Sequence, residues 1–310
     1  MTLASPSGRN AVMLFPELSY ANASQPRVKR WFIRSVEGLS GRDRYARLYD
    51  VWRREIVPTR ERVFGRMLPL IDLSVRVDGA WPPHDLPDGP LVIVANHPFG
   101  IGDGVAILSL AEQLGRPFRV MINADLLKIR EMEAYSLPVD FSETREALKN
   151  NLAVRHEALR LLKEGTTVVV FPAGGVATAR STFGRAIDLP WKMFPARLVQ
   201  EARATVIPMH FAGQNGRLFH VVSRPMGLLE SDGKLKRFVG GVSLTLRTAL
   251  LIREFARLSG RRIDVRVGSP IPWNAMAPLE DRKALLGFLY DSVFSLARPR
   301  GNAEEQSRAA

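Results

Sequence analysis

The chain has 310 residues, of which 46% are hydrophobic and 24% are charged, and it carries a formal net charge of +13 and no cysteine. This composition excludes a largely disordered protein. The lack of cysteine excludes a disulfide scaffold, a thiol nucleophile and a cysteine-bound metal. So large a positive surplus predicts an acidic partner, and nucleic acid, anionic lipid and an acidic carrier protein all fit that description.

Residues 1–74 are predicted to form a leader followed by basic amphipathic helices. The segment 27–66 holds twelve Arg or Lys and five acidic residues. Two interpretations fit it: a solvated basic helix packed on the core, or an interfacial helix whose apolar side chains enter a membrane headgroup region while its arginines bind phosphates. The apolar residues with the spacing of one helix face are Tyr45, Leu48, Tyr49, Trp52 and Ile56.

Any membrane contact is expected to be peripheral. A spanning helix needs about 20 mainly apolar residues, and the best candidate stretch, residues 165–179, is interrupted by Pro172, Gly174 and Gly175. Residues 1–26 contain no apolar stretch of the length that a secretory signal needs. We therefore expect a cytoplasmic protein associated with the inner face of a membrane.

From Val75 onward, short apolar runs alternate with helical patterns. This alternation predicts an α/β domain over 75–275, with a mostly parallel or mixed central sheet flanked by helices. The N-terminal helical region precedes this domain, and a C-terminal helix and polar tail over 276–310 follow it. Strands are predicted at 91–95, 118–122, 167–171, 205–211 and 264–268, with 217–223 a candidate for another. Helices are predicted at 103–115, 142–165, 191–200, 241–258 and 280–297.

The segment 92–108, VIVANHPFGIGDGVAIL, holds the strongest candidate for a catalytic site. A buried strand ends at Ala95 and a helix is expected to begin near Asp103, and open α/β sheets bind their ligands at such strand ends. Positive φ angles at the three glycines 100, 102 and 104 would fold the loop back and bring Asp103 to His97. The carboxylate would then fix the imidazole tautomer and leave the other nitrogen free to accept a proton.

Other interpretations of these residues are simpler. Asp103 could be only a helix N-cap, and His97 could be a core histidine. A dinucleotide-binding loop does not fit the glycine spacing, because Val105 occupies the third glycine position. A metal-dependent phosphoesterase would need several His and Asp ligands, whereas the five histidines of the chain form no close pair in sequence. We therefore expect no metal site.

The block NHPFGIGDG (96–104) resembles the signature block of the glycerolipid acyltransferase superfamily, the lysophosphatidic-acid-acyltransferase-like enzymes. Their usual block is Asn-His, four residues and Asp, whereas this chain has five intervening residues, similar to a bacterial branch often labelled hemolysin-like. Three later segments resemble the second, third and fourth blocks in order: 137–141, 170–180 and 205–215. The segment 124–129 resembles the stretch between the first two blocks, and 265–272 resembles the closing strand of the domain, so that the resemblance covers about 75–275.

The resemblance implies an enzyme that moves a fatty acyl group from a thioester to the hydroxyl of a lyso-lipid. His97 would be the general base, oriented by Asp103, and Asn96 would brace their loop. The thioester would be acyl-CoA or acyl-carrier protein as a co-substrate, with no further cofactor. An inactive family member that only binds a membrane or a carrier is the alternative, and no recognition motif for nucleic acid accompanies the positive charge.

The third block supplies the remaining predicted substrate contacts. Backbone amides in the turn after the strand 167–171 could bind an oxyanion or a phosphate, although an ordinary strand-to-loop turn is the alternative. Ala173 stands where the family usually has Glu, and Phe141 stands where many members have Arg, so the acceptor headgroup stays open. Arg145 and His210 are predicted supporting residues. The predicted substrate-binding residues are Asn96, Phe171, Pro172, Gly174, Gly175 and Arg180.

Overall fold

The computed structural model describes two long parts of the chain and a few isolated residues before them. Most of the predicted leader, most of the helix predicted at 241–258 and the tail 298–310 lie outside the described residues, as do Phe141 and Arg180. The described residues are 41–223 apart from 87, 125, 126, 128, 141–143, 180 and 182, together with 250–297 and residues 15, 19, 27, 30, 31, 34 and 38.

Residues 42–56 of the basic N-terminal segment are helical, as predicted, and they pack on the core. Helix α1 (Arg42–Val51) continues into a π-helical turn (Trp52–Ile56). Trp52 is buried, and its indole Nε1 donates to the backbone oxygen of Val63 at 2.9 Å. The interfacial interpretation is therefore wrong for Trp52 and Ile56, because their side chains already lie in the protein core. A 3₁₀ turn (Val57–Thr59) and the short helix α2 (Met67–Leu70) follow.

Within the described residues, the central sheet has seven strands: β1 (Leu73–Asp78), β2 (Leu91–Ala95), β3 (Phe118–Asn123), β4 (Ser136–Val139), β5 (Thr167–Val170), β8 (Thr205–Ala212) and β9 (Arg261–Val267). The hairpin of β6 (Thr178–Ala179) and β7 (Ala186–Ile187) lies outside this sheet. The strand order is β1-β9-β8-β2-β5-β3-β4. Neighbouring strands are parallel except β8 and β9, which are antiparallel. The predicted mixed α/β sheet is thus confirmed.

Helices cover both faces of the sheet, which explains why β2 is apolar along its whole length. Leu91 and Ile93 of β2 face one cluster of buried side chains, and Val92 and Val94 face another. The C-terminal helix packs in the second cluster and is part of the same core. The helices after α2 are α3 (Ile101–Glu112), α4 (Arg145–Lys163), α5 (Phe194–Ala202), α6 (Arg217–Ser223), α7 (Trp273–Met276) and α8 (Arg282–Ser295).

One predicted element is wrong in type. The segment 217–223 was a candidate strand, but it forms the helix α6. Phe219 and Ser223 are buried one helical turn apart, and the Ser223 hydroxyl donates to the backbone oxygen of Phe219 at 2.6 Å. Phe and Val favour strands, but here the burial of one helix face outweighs that preference, because strand propensity depends strongly on packing.

Candidate active site

Asn96 ties the loop after β2 to the neighbouring strand β8. Its side-chain amide donates to the backbone oxygen of Phe211 at 2.9 Å, and its side-chain oxygen accepts from the Phe211 N–H at 2.7 Å. The residue is buried, so this amide is committed to holding the loop. The geometry agrees with the bracing role, and substrate contact by Asn96 stays a prediction.

His97 and Asp103 meet in the loop that follows β2. The imidazole Nδ1 of His97 lies 3.0 Å from Oδ1 of Asp103. The carboxylate is fully buried, whereas 18% of the His97 side chain is exposed. Oδ2 of Asp103 accepts from the backbone N–H of Phe99 at 2.8 Å. The carboxylate therefore holds both the loop and the ring, and the predicted proximity of the two residues is confirmed.

The helix after this loop begins earlier than predicted, at Ile101. Gly100 precedes it with a positive φ of 82°, which glycine adopts readily, and the chain reverses at this residue. Gly102 is helical, and a Cβ there would collide with the side chain of Leu258. Asp103 thus lies in the first helical turn, where the helix dipole favours a negative charge, and the interpretation of Asp103 as the N-cap is wrong.

The end of β5 brings a second segment to His97. Strands β2 and β5 are parallel with Val94 opposite Val170, so their carboxyl ends lie side by side. The ring of Phe171 stacks on the imidazole of His97. The backbone N–H of Ala177 donates to the backbone oxygen of His97 at 2.8 Å. The predicted approach of the first and third blocks is therefore confirmed.

The turn after Phe171 uses part of its own backbone internally. The N–H of Gly174 donates to the backbone oxygen of Phe171 at 3.0 Å, and the backbone oxygen of Pro172 accepts from Lys192 N–H at 2.9 Å. The Gly174 amide thus closes the turn. Ala173, which stands where the family usually has Glu, is buried. Substrate contacts by Phe171, Pro172 and Gly175 stay predictions, and Arg180 lies outside the described residues.

Asp188 is a site residue that the sequence argument missed. Its Oδ1 accepts from the backbone N–H of His97 at 3.3 Å, and its Oδ2 accepts from the indole Nε1 of Trp191 at 3.0 Å. Burial raises the pKa of Asp188, and these two hydrogen bonds partly offset that effect. A signal was present, because Asp188 is the only acidic residue between positions 165 and 200.

Comparison with known proteins shows which enzymes this chain is similar to. Residues 76–212, which include His97, Asp103 and Asp188, match the family model described as Acyltransferase. Proteins named lyso-glycine lipid O-acyltransferase from Phocaeicola vulgatus and Bacteroides thetaiotaomicron are 22% and 25% identical to it. Each alignment covers 235 residues and 74% of this chain, with 75% and 77% of the relative. The family model and the two relatives together support an acyltransferase enzyme of the lysophospholipid acyltransferase type.

A solved structure is also similar to this acyltransferase. It is the 1-acyl-sn-glycerophosphate (LPA) acyltransferase PlsC from Thermotoga maritima, at 17% identity and a TM-score of 0.43. The match covers 87% of this chain and 89% of that one. The identification as an acyltransferase rests on the family model and the two relatives and not on this structural likeness.

The two predicted supporting residues of the acyltransferase lie on different elements. His210 lies on β8, and burial, together with the nearby Arg266, lowers its pKa to about 4. It is therefore neutral and a weak base at neutral pH. Arg145 is the first residue of α4, which follows the edge strand β4, and its side chain is exposed. Its role stays a prediction.

Two features of the described residues bear on metal binding and on membrane contact by the acyltransferase. They contain no group of three or more His, Cys, Asp or Glu side chains placed to hold a metal ion. In the same part of the chain, every helix is too short or too polar to cross a bilayer.

Proposed function

We propose that this acyltransferase moves a fatty acyl group from a thioester to the hydroxyl of a lyso-lipid at the inner face of a membrane. The observation that carries the proposal is the contact of 3.0 Å between His97 Nδ1 and the buried carboxylate of Asp103. With Nδ1 facing Asp103, Nε2 is the nitrogen that can accept the proton of an alcohol. Such general-base assistance is worth about 10²–10⁴-fold in rate.

The reaction needs no covalent intermediate on the enzyme. His97 Nε2 removes the proton as the lyso-lipid oxygen attacks the thioester carbonyl, so the new ester C–O bond forms and the C–S bond breaks. The imidazolium then returns the proton to the leaving thiolate. Asp103 keeps the ring oriented and stabilises its transient positive charge, as an orienting carboxylate does in other His-dependent acyl transfers.

The acceptor is proposed as a lyso-lipid, with an amino-acid headgroup the first candidate to test. This choice is supported by the two relatives, which are named for lyso-glycine lipid acylation. Ala173, which stands where the family usually has Glu, is buried and offers no carboxylate to a headgroup. The donor is proposed as acyl-CoA or acyl-carrier protein, both of which are anionic and suit a chain with a net charge of +13.

The test is an acyl-transfer assay with the full chain on vesicles that contain lyso-glycine lipid, lysophosphatidic acid or lysophosphatidylethanolamine. Each acceptor is combined with acyl-CoA and with acyl-carrier protein, and the acylated lipid is measured by mass spectrometry. We expect product from at least one pair and none from His97→Ala. His156→Ala is the matched control, because His156 is an exposed histidine on α4. Full activity of a folded His97→Ala variant would end the proposed mechanism.

A further inference from the structure

A group of exposed apolar side chains lies beside the candidate active site. Phe183 is 81% exposed, and the other members are 37% to 47% exposed. Single exposed apolar residues are ordinary, but a contiguous group marks an interaction surface. We call this group the hairpin surface, and it consists of Phe183, Ile187, Leu189, Leu218 and Val221.

The hairpin surface is continuous across two elements. The guanidinium of Arg217, on α6, lies 4.7 Å from the centre of the Phe183 ring, in the turn between β6 and β7. The N–H of Ala186 donates to the side-chain oxygen of Gln214 at 2.7 Å, which joins β7 to the segment before α6. On the helix, Leu218 and Val221 are three positions apart and therefore share one face.

The same surface borders the catalytic pair. Ile187 and Leu189 flank Asp188, whose carboxylate accepts from the backbone N–H of His97. Leu189 also packs over the third-block turn, because a Cβ added at Gly175 would lie 3.1 Å from its Cδ1. A molecule that covers the hairpin surface therefore lies next to His97.

The charges around these side chains indicate which kind of partner the hairpin surface binds. Arg185 and Arg217 are exposed at the hairpin surface. The nearby carboxylate of Asp188 is turned inward to His97 and Trp191. Exposed aromatic and aliphatic side chains interleaved with arginines match the boundary between acyl chains and anionic headgroups. Such a surface places apolar groups in the bilayer and guanidinium groups among the phosphates.

We propose that the hairpin surface inserts into the headgroup region of an anionic membrane and presents the lyso-lipid hydroxyl to His97. This inference rests on the proposed function for its substrate. It differs from the interfacial interpretation of the segment 27–66, because Trp52 and Ile56 of that segment are buried. Residues 183–189 enter the bilayer while α6 lies along its surface.

Labelling at one position tests this surface in the full chain. The chain has no cysteine, so Phe183→Cys can be labelled uniquely with an environment-sensitive fluorophore. We expect enhanced, blue-shifted emission on equimolar phosphatidylglycerol–phosphatidylcholine vesicles. Leu148→Cys is the matched control, because Leu148 is an exposed leucine on α4, which packs against β4 and α5. Vesicle binding without a change at Phe183→Cys, or an equal change at both labels, would overturn the proposal.

Substitutions measure the apolar and the electrostatic contributions to vesicle binding separately. Phe183→Ser should weaken vesicle binding by about tenfold, because it removes a large apolar anchor. Arg185→Glu replaces a cation with an anion and should lower affinity about thirtyfold at low salt. The matched controls are Leu148→Ser and Arg197→Glu, both at exposed positions on other helices. Controls that weaken binding as much as the test variants would show that this surface is not the one engaged.

Three further outcomes are decisive. A change at Phe183→Cys caused by acyl-carrier protein but not by vesicles would make the surface a donor-docking site and overturn the membrane assignment. A change that depends on protein concentration without vesicles would indicate self-association and would also overturn it. Failure of the proposed function can be told apart from failure of the membrane assignment. His97→Ala should bind vesicles like the wild type. If the wild type bound vesicles through Phe183 but transferred no acyl group, only the proposed function would be contradicted.

Discussion

The imidazole ring of His97 stacks on the ring of Phe171, with centroids 4.1 Å apart and planes at 29°. The stack restrains the plane of the imidazole, while Asp103 restrains its edge. In the proposed reaction, both restraints act on the ring that points one nitrogen at the acceptor hydroxyl. The two segments meet because β2 and β5 are parallel neighbours.

Phe171→Ala is expected to lower kcat by about tenfold to a hundredfold with little change in KM, since misplacing a reacting group by about 1 Å can cost a hundredfold. Steady-state kinetics on vesicle substrates measures the split between kcat and KM. Phe288→Ala is the control, because Phe288 is a half-buried phenylalanine packed on the second core cluster, away from His97. Equal losses of kcat in both variants would show that the stack contributes only to the stability of the fold.

Asp103→Asn should lower kcat by about a hundredfold or more while leaving the melting temperature nearly unchanged. The amide oxygen can still accept from the Phe99 N–H, but the charge that stabilises the imidazolium is lost. Asp103→Ala should in addition lose about 1–3 kcal/mol of stability, because a buried N–H is left without an acceptor. Calorimetry beside the transfer assay separates the two effects, and an active Asp103→Asn variant would argue against the orienting role.

Asp188→Asn should lower kcat by about tenfold through the position of the His97 backbone. The carboxylate of Asp188 accepts from two donors, His97 N–H and Trp191 Nε1, with one oxygen for each. An asparagine has only one side-chain oxygen and could not accept in the same way from both. Trp191→Phe should have a smaller effect, and the double variant should be no worse than Asp188→Asn alone, because contacting residues act non-additively. Strictly additive losses in this cycle would show that the two residues do not act together on the loop.

His210 should make the fold less stable in acid. Its folded pKa of about 4 lies below the ordinary value of 6.5, so the unfolded chain binds the proton more tightly. The free energy of unfolding should therefore decrease as the pH falls from 6.5 towards about 4. Denaturant titrations at several pH values should show that His210→Phe loses this part of the dependence, whereas His84→Gln, at an exposed position, keeps it. His210→Phe should also retain acyl transfer, and complete loss of activity in a folded variant would point to a catalytic role.

Local patterns in the chain were sufficient to predict the sheet and the proximity of His97 and Asp103. The buried run Leu91–Ala95 could be identified as a strand because every residue in it is apolar, and His97 and Asp103 are six positions apart around a glycine that allows the chain to reverse. The partners of that pair depended on packing between distant segments. Asp188 is 91 positions from His97, and Phe171 meets the imidazole only through the parallel register of two strands. The burial of Trp52 also depended on packing, since hydrophobic spacing indicates which face of a segment is apolar but not whether protein or lipid covers it. The helical form of Arg217–Ser223 depended on packing as well, because strand propensity varies strongly with the surroundings of a segment.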